Sequence, residues 1–88
     1  MSIMIDNMFA QPYTATMPLR NQIKQHRARL DLTQQDLAER VGVRRQTILA
    51  IEKGHFIPST VLAFRIAREL GMRVDELFEL TGDKEQAP

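Results

Sequence analysis

The chain has 88 residues, 43% of them hydrophobic and 26% charged, with no cysteine and a net charge of +1. That length holds one small domain and excludes large catalytic folds such as the (β/α)₈ barrel, which needs roughly 250 residues. Without cysteine there is no disulfide framework and no thiolate metal site, so the domain must rely on well-packed helices or on oligomerisation.

The small net charge hides an uneven distribution. Residues 20–54 hold eight Lys/Arg against four Asp/Glu, whereas residues 55–88 hold four against six. A basic middle and an acidic end point to an anionic partner; on charge alone, an unevenly solvated surface fits as well. No run approaches the 18 apolar residues of a membrane span, and Asp6, Asn7 and Pro12 interrupt any signal-peptide core. A cytoplasmic location and no membrane partner are therefore expected.

In chain order, residues 1–18 stand apart as an N-terminal arm. They hold four of the five Met, two Pro and a single charge, Asp6, with a short strand-like alternation at Ile3, Met4 and Ile5. From Leu19 the pattern turns helical. Leu19, Ile23, His26 and Leu30 fall on one face, predicting a first helix over 19–30. Arg20, Lys24, Arg27 and Arg29 read as a mostly solvated group around it.

Thr33 and Asp36 have capping-box spacing, and a second helix follows with Leu37, Ala38 and Val41 inward, ended by Gly42. A third helix over 45–53 turns Ile48 and Ile51 inward and stops at Gly54. Ser59 caps a fourth over 60–70, whose apolar stripe is Leu62, Ala63, Ile66, Ala67 and Leu70, and Gly71 ends it. A last helix over 74–80 uses Val74, Leu77 and Phe78, and residues 81–88 form a polar tail. Nothing from Leu19 onward alternates like a strand. The expected architecture is all-α, five short helices over residues 19–80.

Residues 34–53 place a short helix, a tight turn at Gly42 and a second short helix in succession, the helix-turn-helix plan. Ala38 lets the two axes approach, and Gly42 supplies the sharp turn. The words Leu32-Thr33-Gln34-Gln35-Asp36-Leu37-Ala38, Val41-Gly42-Val43, Gln46-Thr47-Ile48, Ile51-Glu52-Lys53-Gly54, Pro58-Ser59 and Val74-Asp75-Glu76-Leu77-Phe78 occur in order. Residues 19–80 thereby resemble the Cro/repressor-type (XRE-family) helix-turn-helix DNA-binding domain of bacteria and phages, a lambda-repressor-like fold.

The resemblance implies a small cytoplasmic, nucleoid-associated transcriptional regulator, a repressor that binds double-stranded DNA at a palindromic operator. Its second motif helix lies in the major groove, which makes Arg44, Arg45, Gln46, Leu49 and Ala50 the expected base contacts. Arg suits guanine O6 and N7, Gln suits adenine N6 and N7, and Leu49 or Ala50 suits a thymine methyl. Thr33 and Gln34, at the start of the second helix, are the expected phosphate anchors, with Lys53 and His55 as further phosphate contacts. In similar domains a first-helix Arg pairs with the Glu of the Ile51-Glu52 word, so an Arg27–Glu52 salt bridge is expected. The chain departs from the family at Arg44, where a capping Ser or Thr is common.

No Ser/His/Asp set, Gly-rich phosphate loop or paired-carboxylate motif is present, and His26 and His55 have no metal-ligand spacing. No enzyme activity, cofactor or metal is expected. One such domain reads few base pairs, so a homodimer is expected, with Phe64, Phe78, Leu80 and the arm as candidate dimer contacts. Two other readings share the scaffold: an antitoxin whose arm binds a toxin partner, and a protein-interaction module that does not use DNA.

Overall fold

Each helix begins and ends where local chemistry places a stop. In a computed structural model, which describes residues 19–81, the elements run β1 (Leu19–Asn21), α1 (Ile23–Arg29), α2 (Gln34–Val41), α3 (Arg45–Glu52), α4 (Thr60–Glu69), α5 (Val74–Leu77) and β2 (Phe78–Leu80). The arm expected over 1–18 and residues 82–88 of the expected tail lie outside the described residues. Thr33 Oγ1 accepts from the Asp36 N–H at 2.9 Å, and an Asp36 carboxylate oxygen accepts from the Thr33 N–H at 2.9 Å, so the box at the head of α2 is closed in both directions. Ser59 Oγ accepts from the Leu62 N–H at the head of α4.

The first four helices end on the same turn. The N–H of the residue after a left-handed one reaches back to the last turn: Leu32 to Arg27, Val43 to Ala38, His55 to Ala50 and Met72 to Ala67, all at 2.8–3.0 Å. This Schellman geometry needs one left-handed residue. Glycine supplies it three times, as at Gly42 (φ 79°), but Asp31 (φ 59°) supplies it after α1. An L-residue with a Cβ is less favourable there, and Asp is among the few tolerated.

The helices are four to ten residues long, too short to persist alone in water. Packing holds them. Ile23, Leu37, Ile48, Ile51, Ile66, Leu70 and Leu77 are fully buried in one core with Ala38, Val41 and Phe78, each large aliphatic side chain contributing about 1.5–3 kcal/mol. Ala38 is fully buried in α2, which packs closely against α3, as its small side chain permits.

The fold is mainly helical, and it corrects the sequence reading at both ends of the domain. Leu19–Asn21 is a strand, paired antiparallel with Phe78–Leu80 in the register Leu19–Leu80, Arg20–Glu79 and Asn21–Phe78. The first helix therefore starts at Ile23 rather than Leu19, and the last stops at Leu77. Asn21 makes the break: its Oδ1 accepts from the Ile23 N–H at 3.1 Å, opening α1 from a strand. Leu30 is exposed rather than inward. Phe78, expected as a dimer contact, is a core residue at 7% exposure.

Candidate nucleic-acid interface

The sequence of α3 separates two faces. Ile48 and Ile51 are buried against the core, while Arg44, Arg45, Gln46 and Lys53 are exposed and Leu49 and Ala50 half-buried. At about 100° per residue, positions 45, 46, 49, 50 and 53 fall within one arc of roughly 140°. The structure thus brings four of the expected base-contact residues, Arg45, Gln46, Leu49 and Ala50, onto one side of α3 with Lys53, while Arg44 is exposed at the cap position ahead of the helix. His55 follows on the exposed turn after Gly54.

The start of α3 is bare. Arg44 sits at the cap position with extended backbone (φ −79°, ψ 155°), and no side chain accepts from the first turn, which also holds no acid. Arg44, Arg45 and Lys53 take part in none of the ion pairs among the described residues, which join Arg20 to Glu79, Arg27 to Glu52, Arg40 to Glu69 and Arg73 to Asp75. The free backbone N–H groups and uncompensated guanidinium groups give this end a positive potential suited to an anion.

A second helix start lies beside it. Thr33, Gln34 and Gln35 at the head of α2 line one shallow depression together with Arg45, so the expected phosphate anchors and one expected base-reading arginine share a concave surface. The Thr33 backbone N–H, chiefly, and then the Thr33 side chain hold the Asp36 carboxyl below its ordinary range by hydrogen bonding to it.

A mostly buried ionic group braces both helix starts from behind. Arg27 Nε donates to Glu52 Oε2 at 2.7 Å and Nη2 to Oε1 at 3.3 Å, while Nη1 donates to the Leu32 carbonyl at 2.8 Å. The side chains of Arg27 and Glu52 are 13% and 7% exposed. Gln34 Nε2 also donates to Glu52 Oε1 at 3.1 Å. The Gln34 amide nitrogen is therefore held by Glu52, which leaves the residue's backbone N–H as its group facing an anion.

Residues outside the expected site also position α3. Asn21 Nδ2 donates to the Ile51 carbonyl at 2.9 Å, so one side chain opens α1 and holds the last turn of α3. An Asn whose side chain can bond the backbone two residues on is a local turn signal, here one residue ahead of the Gln22 cap position, but the i, i+4 spacing of Leu19 and Ile23 masked it. The cations flanking α1 are also more engaged than a solvated group would be: Arg20 pairs with Glu79, and Arg29 Nη2 donates to the Leu70 carbonyl at 3.1 Å.

Fold and site together define a helix-turn-helix protein with an exposed, basic second helix. The helix-turn-helix family model matches residues 23–77. An uncharacterised HTH-type transcriptional regulator of Methanothermobacter thermautotrophicus is 54% identical over 66 residues, covering 74% of this chain and 96% of that protein. Another, of Methanocaldococcus jannaschii, is 47% identical over 66 residues, covering 75% of this chain and all of its own length. In Bacillus subtilis, the uncharacterised HTH-type transcriptional regulator YgzD is 44% identical over 62 residues, 70% of this chain and 94% of its own. Among solved structures, the clp gene regulator ClgR of Corynebacterium glutamicum superposes with a TM-score of 0.58 at 26% identity, over 61% of this chain and 57% of that one. The chain belongs to the Cro/repressor-type (XRE) helix-turn-helix family.

Proposed function

We propose that this chain is a cytoplasmic, sequence-specific, double-stranded-DNA-binding transcriptional regulator that reads the major groove with α3 and represses by occupying its operator, without catalysis. The observation that carries the reading is the lead of α3, where Arg44, Arg45 and Gln46 are exposed, no side chain caps the helix, no acid stands in its first turn, and neither arginine is in an ion pair among the described residues. Membership of the helix-turn-helix family and relatives named as transcriptional regulators support it.

The roles follow from chemistry. Arg44 and Arg45 offer paired donors to guanine O6 and N7, and Gln46 matches adenine N6 and N7, each good bidentate pair discriminating by about 1–3 kcal/mol. Leu49 and Ala50 present methyl groups to thymine. Thr33 and Gln34 hold a phosphate at the α2 start, and Lys53 and His55 hold backbone beyond α3. Arg27 and Glu52 touch no DNA; they fix the angle at which α3 is offered. A single small domain covers few base pairs, so two copies act together on a palindrome with half-sites about 34 Å apart.

Selection of DNA from a random pool tests this directly. The expected result is an enriched inverted repeat with half-sites about one helical turn apart. Its affinity should fall steeply with salt, by about 0.9 in logarithmic slope for each phosphate neutralised. Absence of any enriched sequence, or an affinity indifferent to salt, overturns the reading.

A further inference from the structure

Of the four helix-ending turns, the one after α1 is the exception, because Asp31 takes the left-handed position (φ 59°) that Gly42, Gly54 and Gly71 take elsewhere. Glycine adopts that backbone without steric cost and an L-residue does not. The exception falls at the candidate interface. Asp31 is exposed, its carboxylate is in no ion pair among the described residues, and it lines the same depression as Thr33, Gln34, Gln35 and Arg45. It is the only acid lining that surface among the described residues, so a bare carboxylate stands where a DNA phosphate is expected. A strained residue that also repels the DNA backbone is explained neither by folding nor by affinity. We propose that Asp31 is a specificity-determining residue, which penalises complexes in which Arg45 takes a phosphate instead of a base. The inference rests on the reading that α3 reads bases, and it names what suppresses binding elsewhere.

The charges of the depression carry the argument. Arg27 reaches it too, but its guanidinium is engaged by Glu52 at 2.7 Å and is mostly buried. Arg45 and Asp31 are thus its exposed, unpaired charges among the described residues. On DNA that lacks the right base, the backbone is the strongest partner left to Arg45, and electrostatic attraction supplies essentially all of such non-specific binding. A phosphate drawn to Arg45 across this surface comes alongside Asp31, and like charges repel. On the operator Arg45 is engaged by a base edge, and the phosphate at α2 rests on backbone N–H groups instead. The repulsion therefore falls more heavily on the wrong complex than on the right one. A difference in affinity between two partners can be built from such a repulsive element as well as from attraction.

Titration of the full chain with the selected operator and with a scrambled duplex of equal length, over a range of salt, tests this. Asp31→Asn removes the charge and keeps a residue that tolerates the left-handed backbone; Asp31→Gly removes both charge and strain. Both variants should bind the scrambled duplex about fivefold tighter than the wild type, and the operator by less than about twofold. The gain should shrink as salt rises. Asp31→Gly should also raise the thermal midpoint above that of Asp31→Asn, which separates strain from charge. With Arg45→Ala in place, Asp31→Asn should lose its preference for the scrambled duplex, because no guanidinium is left to divert. A wild type that discriminates between the duplexes while both variants keep its ratio overturns the inference alone, as does a preference that survives Arg45→Ala. A wild type that binds the two duplexes alike, or neither, overturns the DNA reading and this inference with it.

Discussion

Helices α2 and α3 both start from an extended residue, Thr33 at φ −78°, ψ 168° and Arg44 at φ −79°, ψ 155°, yet only the first start is closed. Thr33 and Asp36 satisfy each other's backbone N–H groups at the head of α2. At the head of α3 no side chain accepts, and two arginines face the positive end of the helix dipole. A missing cap costs about 1 kcal/mol, and each cation at a helix start about 0.3–1 kcal/mol more. The domain carries that cost at a helix whose outer face is basic and faces solvent. The lesson is that a local rule broken beside a rule kept marks where binding outranks stability.

The comparison can be broken most forcefully at the group that holds the two starts together. Glu52→Ala removes the acceptor of both Arg27 and Gln34 and leaves the Arg27 guanidinium mostly buried without a carboxylate. Urea unfolding should show a loss of about 3–5 kcal/mol. Next in size is Thr33→Ala, which opens the α2 start to match α3 and should cost about 1 kcal/mol in the same measurement. Arg44→Ser performs the reverse operation. It supplies the missing cap and removes one cation, so stability should rise by about 1 kcal/mol while DNA affinity falls.

The smallest effect is the pH dependence of the closed start. Hydrogen bonds from Thr33 depress the Asp36 carboxyl below 3.8, so the unfolded chain takes up this proton more readily than the folded one. The stabilisation is therefore complete above the ordinary carboxylate range and is lost as pH falls through the depressed value. Asp36→Asn should flatten that part of the acid-unfolding curve.

The same contrast explains how much could be read from the sequence. Starts and stops written in adjacent residues were legible: Thr33 with Asp36, Ser59, Gly42, Gly54 and Gly71 all sit at the helix boundaries they announce. The Arg44 departure was equally legible, being the absence of a cap at a known position. Pairings between distant segments were not. Three-residue strands are too short to alternate, and Leu19 happens to lie at helical spacing from Ile23, so β1 reads as helix until β2 arrives 59 residues later to pair Arg20 with Glu79. Phe78 likewise reads as the end of a helix, and only the sheet turns it into the core. For the candidate site, the residue types and their shared face followed from the motif. The role of Asn21 and the capture of Gln34 by Glu52 depend on contacts across 30 and 18 residues.

The central claim is that the open start of α3 reads bases. Its most direct test is the affinity of Arg45→Ala for the selected operator and for that operator changed one base pair at a time. The account predicts a loss of about 1–3 kcal/mol on the operator, with discrimination relaxed at one base pair and retained at the others. Equal losses on every sequence would make Arg45 a phosphate contact, and no loss would contradict the claim.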